Sequence, residues 1–329
     1  MPTARPALLL REAGAEVHVV DIGPRGRDED EGVLKWHCSS RVAAALRVAT
    51  LRPDFLFLEG STWHLMLLPL SRRSWVRATG RSERPVVATA ERLMIRAASV
   101  VSVSNPDHAE RWQLPKGRLL ELAYPVDIDF WSAPVERSPE FWQRRGLPTP
   151  PGPVVTYVAQ LMKRKRQTEM VSALAPVLRD RPDVRLVFAG APVEPGAEDA
   201  LRATAKGAGV AEQVHVLGPV SPPEELRQLY AWTTVHAVNS AWETQCMVVY
   251  ESLAAGVANA VSALPVLTTA FPDVPAHEDD DALRRNVVHL LDDAEARAAV
   301  VRESRDRLRW ADIRRHDEVF RSTVTGLLQ

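Results

Sequence analysis

Two glutamates, Glu243 and Glu251, stand with seven residues between them where a polar turn gives way to the apolar, helix-forming run Met247–Ala255. A short apolar run of strand length, Val235–Val238, precedes the turn. A strand that leads into a helix N-terminus makes an anion site, because the first helical turn presents unpaired N–H groups and the positive end of the dipole; a diphosphate suits it. Glu243 is expected at the mouth of that site and Glu251 two turns down the same helix. Carboxylates there suit paired hydroxyls, since each accepts two charge-assisted hydrogen bonds at once. The same spacing also fits a helix capping box at Ser240-x-x-Glu243, with Glu251 as a solvated surface residue. Thr244, Cys246 and Met247 lie at the helix start and face the same ligand in the first reading.

A second cluster is Gln160-Leu161-Met162-Lys163-Arg164-Lys165-Arg166, which follows the apolar strand Val154–Ala159 and precedes a helix. Basic residues at a helix N-terminus oppose the dipole, so a bound anion explains them; a solvated helix start is the alternative. In the first half, Glu59-Gly60-Ser61-Thr62-Trp63-His64 follows a strand and opens a helical run. Ser61, Thr62 and His64 are candidates to touch a second substrate, and Glu59 could orient its hydroxyl. Trp63 serves equally well as a stacking platform or as core.

Strands and helices alternate along the chain, the pattern of a parallel sheet covered on both faces. In the first half a helix is expected over Pro6–Ala13, strands over Glu16–Asp21, Asp54–Glu59, Val86–Ala88 and Ser99–Ser104, and a charged loop over Arg25–Gly32. In the second half the strands are Val154–Ala159, Val184–Ala189, Val214–Leu217 and Val235–Val238. Helices are expected near 166–179, 197–207, 222–232, 246–255, 280–291, 293–308 and 311–328. The proline-rich stretch Gly146–Pro153 continues neither a helix nor a central strand and is taken as the linker. It separates a domain over 1–145 from one over 154–310, with 311–329 as a terminal helix.

Length agrees: 329 residues with 46% hydrophobic content suffice for two cores. A formal net charge of −1 with mixed signs leaves no footprint for nucleic acid. No apolar run approaches the roughly 20 residues of a membrane span, and the N-terminus lacks the apolar core of a signal peptide. A cytoplasmic location is expected. The two cysteines, Cys38 and Cys246, offer neither a disulfide framework nor metal-ligand spacing.

The residues around Glu243 and Glu251 resemble the E-x7-E signature of the retaining glycosyltransferases of family 4. The resemblance extends through Leu217–Ser221, Glu224–Leu226, Leu229–Ala231 and Glu251–Gly256, and upstream to Tyr124–Phe130, the segment that closes the first domain in such enzymes. It implies an α/β GT-B fold of two Rossmann-like domains facing across a cleft, with the last helix crossing back to the first domain. It also implies metal-independent transfer of a hexose-like unit from a UDP- or GDP-sugar to a small-molecule or glycan acceptor with retention, without a cofactor. Glu243 would orient the donor sugar, Glu251 hold the ribose, and Lys165, with Lys163, Arg164 and Gln160, face the diphosphate. Glu59, Ser61 and His64 would lie on the acceptor side.

Several positions depart from that family's pattern. The opening strand and its glycine-rich loop are missing from the first domain, as is the histidine that usually follows the fifth strand. Gln160 stands where arginine is usual, Ala159 and Arg166 replace glycines, and Cys246 replaces the glycine at the helix start. Ala258–Pro265 lacks the usual Gly-Gly turn. A catalytically degenerate binding or scaffold protein on the same fold is therefore the second expectation, and a sugar-nucleotide epimerase the third.

Overall fold

The structure, a computed structural model, describes residues 4–22, 26–30, 32–59, 62–78, 89, 91, 93, 95–104 and 118–328. The chain divides into two compact units, Met1–Pro125 with Ile313–Gln329, and Val126–Asp312.

Unit 1 opens on a helix, Ala4–Glu12, followed by strands β1 (His18–Ile22), β2 (Gly26–Asp30) and β3 (Val33–Cys38). β1 and β3 run parallel while β2 pairs antiparallel with β3, giving a separate three-stranded sheet. The segment expected as a charged loop, Arg25–Gly32, therefore contains a strand. Its residues Gly26–Asp30 are all exposed, so no apolar alternation marks it; its strand character comes from pairing with β3 and from ion pairs such as Lys35–Asp30 at 2.7 Å. After the helix Arg41–Leu51, capped by Ser40, come β4 (Phe55–Glu59), a 3₁₀ turn over Thr62–Leu70, and then β5 (Arg73–Ala78), β6 (Val100–Val103) and β7 (Leu119–Glu121). These four strands form a second, all-parallel sheet in chain order. The third expected strand, Val86–Ala88, lies outside the described residues; the strand next to β4 is β5. The described strands of unit 1 thus form two sheets.

One face of the second sheet is covered by the helices Ala4–Glu12 and Ile313–Leu328. Leu9, Trp75, Leu122, Phe320 and Val324 form a buried cluster there. Trp75 and Phe320 stack with centroids 4.8 Å apart, and Phe57 meets Phe320 edge-on at 5.7 Å.

Unit 2 carries a six-stranded parallel sheet in the order β10-β9-β8-β11-β12-β13. These are β8 (Val154–Val158), β9 (Arg185–Ala189), β10 (Val214–Val216), β11 (Val235–Val238), β12 (Ala258–Ser262) and β13 (Ala276–His277). Helices connect them: Gln167–Asp180, Ala197–Gly207, Pro223–Trp232, Met247–Ala254, Pro265–Ala270 and Asp280–Asp292, followed by Ala294–Leu308. β8 and β11 are buried at every position, as a strand covered on both faces requires. The chain places β9 and β10 on one side of β8 and β11 to β13 on the other, so strand order switches between β8 and β11. In open α/β sheets ligands bind outside the carboxyl ends of the strands at such a switch.

A buried polar clamp holds the switch together. The Val158 N–H donates to His236 Nε2 at 3.3 Å, so His236 carries its proton on Nδ1 and donates it to Asn259 Oδ1 at 2.7 Å. Burial lowers the His236 pKa to about 4 and keeps the ring neutral.

The linker expected at 146–153 falls inside unit 2. Residues 126–145 pack there because Phe141 and Trp142 are fully buried, Trp142 meets Trp232 edge-on at 6.2 Å, and Arg144 and Arg145 both reach Glu225, at 2.7 and 2.9 Å. The unit boundary falls at Pro125, within the run Tyr124–Phe130.

Candidate functional site

The loops that leave β8 and β11 are bolted together above the switch point. Lys163–Lys165 forms a single 3₁₀ turn and Arg166 adopts the left-handed conformation (φ 51°) before the helix Gln167–Asp180 begins. The Ala241 N–H donates to the Arg164 carbonyl at 2.8 Å, and Arg164 Nη1 donates to the Trp242 carbonyl at 2.9 Å. Of the four consecutive bases only Lys165 is buried, and its ammonium pairs with Glu243 Oε1. Arg164 Nη1 lies 3.7 Å from the other Glu243 oxygen.

Glu243 lies in the loop before the helix, which starts at Met247. Ser240 Oγ donates to Glu243 Oε1 at 2.5 Å, and the Tyr157 hydroxyl donates to Ser240 Oγ at 2.7 Å. Burial pushes the Tyr157 phenol well above its usual pKa, so it stays protonated and acts as donor. The capping-box alternative is thereby excluded. The cap position is Cys246, whose side chain caps nothing, and the Ser240–Glu243 bond closes inside the loop.

Glu251 is the fifth residue of the helix Met247–Ala254, little more than one turn from its start and not the two expected, because the helix begins after Cys246. Among the described residues no hydrogen bond or ion pair reaches its carboxyl, and burial alone raises its pKa to about 7. Glu251 is half-buried, so it is neither a fully solvated surface residue nor part of the core.

Cys246 sits at φ 61°, ψ 64°, the left-handed region where glycine is at ease and a side chain is strained. Its thiol is buried, and burial together with the neighbouring Glu243 carboxylate raises its pKa well above normal. Thr244 and Met247, half-buried, flank it. Gln160 and Lys163 are exposed on the β8 loop, and the Lys163 N–H donates to Glu194 Oε2 at 2.9 Å. Lys165, Arg164, Glu243, Cys246 and Glu251 thus belong to one constellation, while Gln160 contributes its carbonyl to Gln167 Nε2 at 2.9 Å.

Sequence reasoning missed the supports of this constellation. Asn239 Nδ2 donates to the Arg166 carbonyl at 3.2 Å, and His277 Nε2 donates to Asn239 Oδ1 at 3.3 Å. Burial lowers the His277 pKa to about 4. Nothing in the local sequence of His277 pairs it with a loop so far away along the chain.

In unit 1, Glu59 ends β4 directly beside Arg77 of β5, both at the carboxyl ends of parallel strands. Their charges stand 3.9 Å apart, and Arg77 Nη2 donates to His316 Nε2 at 2.9 Å. Arg77 is fully buried, yet among the described residues its Nε and Nη1 have no hydrogen-bond partner. Tyr124 hydrogen-bonds Glu59, and burial pushes its phenol pKa upward. Ser61 and the side chains of Thr62, Trp63 and His64 lie outside the described residues.

A parallel sheet whose strand order reverses between β8 and β11, with helices connecting its strands, defines a Rossmann-like domain. Residues 140–307, half of the chain, match the family model described as glycosyl transferases group 1, and the chain belongs to that family. The D-inositol 3-phosphate glycosyltransferase of Corynebacterium urealyticum is 26% identical over 235 residues, 70% of this chain and 49% of the relative. The chain spans about half the length of the curated relatives it matches over most of its own. Two solved structures share the GT-B fold. Anabaena HepE in complex with UDP and glucose superposes with a TM-score of 0.78 at 15% identity, covering 89% of this chain and 86% of the other. The sucrose-phosphate synthase of Thermosynechococcus elongatus gives 0.81 at 15% identity, covering 99% and 92%. Among the described residues no helix is long and apolar enough to cross a membrane.

Proposed function

We propose that this protein transfers a sugar from a UDP- or GDP-sugar to an acceptor hydroxyl, in the cytoplasm and with retention at the anomeric carbon. The observation that carries the reading is the buried Lys165–Glu243 pair at the switch point, one loop away from the Glu251 carboxyl, which has no partner among the described residues. A departing diphosphate needs fixed positive charge at its oxygens. Lys165 and Arg164, with the N-terminus of the helix Met247–Ala254, supply it without a metal. Glu251 takes the paired ribose hydroxyls as a carboxylate acceptor, and Glu243, held in place by Ser240 and Lys165, orients the donor sugar. In unit 1, Glu59, half-buried at the end of β4 beside the buried Arg77, offers an acceptor to a substrate hydroxyl.

Calorimetric titration with UDP and GDP, for the wild type and for Glu251→Ala, tests the reading. One nucleotide should bind selectively and the variant should lose affinity. A wild-type protein that binds neither nucleotide overturns it. UDP comes first because the Anabaena neighbour holds UDP, and D-inositol 3-phosphate is the first acceptor to assay because the curated relatives are named for it.

A further inference from the structure

We propose that His277 is a positioning residue for Lys165, acting through Asn239 and the backbone of Arg166. The inference rests on the donor reading above and extends it to a residue at the edge strand of the sheet.

Arg166 occupies the left-handed region, which a residue with a Cβ keeps only when its surroundings hold it there. Its conformation sets the direction in which Lys165, the preceding residue, leaves the 3₁₀ turn. The Arg166 carbonyl accepts twice: from the Met170 N–H at 3.0 Å, which starts the helix, and from Asn239 Nδ2 at 3.2 Å. Donating through Nδ2 requires Asn239 to turn its Oδ1 the other way, and there His277 Nε2 meets it at 3.3 Å. His277 therefore fixes the amide orientation of Asn239, which holds Arg166, which aims Lys165 at Glu243.

The other ring nitrogen leaves the Asn239 contact as the hydrogen bond that the imidazole makes among the described residues. His277 is buried, and among the described residues its Nδ1 has no hydrogen-bond partner. A histidine that served only to fill the core would leave no acceptor stranded, since an apolar side chain of similar shape avoids that penalty. The single hydrogen bond to Asn239 is what the ring supplies in return.

The test uses the intact chain and compares His277→Phe, which keeps the ring shape and removes the donor, with His277→Gln, which places an N–H near the Nε2 position. In the ligand-free protein, hydrogen exchange should quicken in His277→Phe at the amides of Lys165, Arg166 and Ala241, which close the loop, and stay slow in His277→Gln. Affinity for UDP or GDP should fall about tenfold in His277→Phe and recover in His277→Gln. In a Lys165→Ala background the Phe substitution should cost no further affinity, because the residue it positions is gone. Unchanged exchange at those amides overturns the proposal. So does equal weakening with and without Lys165, or a lower melting temperature with unchanged affinity, both of which are marks of a merely structural role. If the wild type binds neither nucleotide, the donor reading falls and this role for His277 falls with it, while the exchange arm still reports whether His277 holds the loop.

Discussion

Lys165 and Glu243 form a buried ion pair that joins the loops after β8 and β11, and the Glu243 carboxylate is completed by Ser240, which Tyr157 holds from behind. A buried pair is weak as a source of stability, because desolvation offsets attraction, but leaving one partner alone is costly. Lys165→Ala leaves Glu243 with Ser240 and with Arg164 at 3.7 Å. The expected loss is about 2 kcal/mol, below the usual penalty because Arg164 remains. Lys165→Met combined with Glu243→Leu should recover most of that stability while abolishing nucleotide binding. Urea unfolding and calorimetry on the same proteins check this, and a double variant no more stable than Lys165→Ala would count against it.

If Glu251 takes the ribose hydroxyls as proposed, nucleotide binding should depend on pH. Its carboxyl is held near pH 7 in the folded protein, against an ordinary value of 4.5, because burial disfavours the charge. Between those values the unfolded chain releases the proton and the folded chain keeps it. Stability contributed at this residue is therefore full below about 4.5 and declines as pH rises toward 7, by about 3 kcal/mol at most. Glu251→Gln should remove this decline, so its melting temperature should gain on the wild type between pH 5 and 7.5. Ribose hydroxyls favour the charged carboxylate, so nucleotide affinity of the wild type should rise through pH 7, with proton release visible in buffers of different ionisation enthalpy. Flat affinity across that range would remove Glu251 from the ribose site.

The reach of the sequence differs between the two units for physical reasons. In unit 2 the strands β8, β9 and β11 are short apolar runs buried on both faces, and their expected limits fall within a residue or so of the observed ones. β12 escaped notice because Ala258-Asn259-Ala260-Val261-Ser262 carries little apolar bulk; Asn259 is there for the clamp with His236. In unit 1, β5 begins and nearly ends on arginine, and only the fold reveals that Arg77 is buried beneath His316. Glu243, Glu251 and Lys165 were legible by residue type. Tyr157, Asn239 and His277 were not, because their roles exist only once distant strands align; Ser240 was legible beside Glu243 only as a helix cap, whereas the bond closes inside the loop.

Cys246→Gly should ease the helix start. A side chain in the left-handed region costs about 1–2 kcal/mol, which glycine avoids, while the buried thiol and the stiffer unfolded chain are lost. Stability should change by less than about 1 kcal/mol. Nucleotide affinity should increase, since bare backbone then faces the phosphates. Paired titrations decide this, and an unchanged affinity would show that the thiol does not obstruct the anion.

Gly190 is required by backbone geometry. A Cβ there would lie 1.9 Å from the Ala159 carbonyl oxygen and 2.9 Å from the Gln160 nitrogen, atoms that cannot rotate away. Gly190→Ala must displace the start of the loop that carries Lys165. A loss of about 3 kcal/mol is expected, with weakened nucleotide binding in the fraction that folds. Normal melting and normal affinity would contradict the close approach of these two strand ends.

The terminal helix Ile313–Leu328 is held to unit 1 chiefly by packing, and Phe320 is its anchor. The ring is buried between Trp75 and Phe57, while the polar bonds on the same helix, Asp317 to Arg5 and His316 to Arg77, lie beside it. Truncating a buried phenylalanine costs about 3–5 kcal/mol, through lost transfer energy and the cavity left behind. The Arg5–Asp317 bridge is partly exposed and contributes far less. Phe320→Ala should therefore speed hydrogen exchange in β4 and β5, whereas Asp317→Asn should leave it almost unchanged. If the two variants behaved alike, or if Asp317→Asn did more damage, the helix would be held by its charges. Because Arg77 and Glu59 occupy the carboxyl ends of those same strands, loosening at Phe320 should also lower acceptor turnover more than nucleotide affinity.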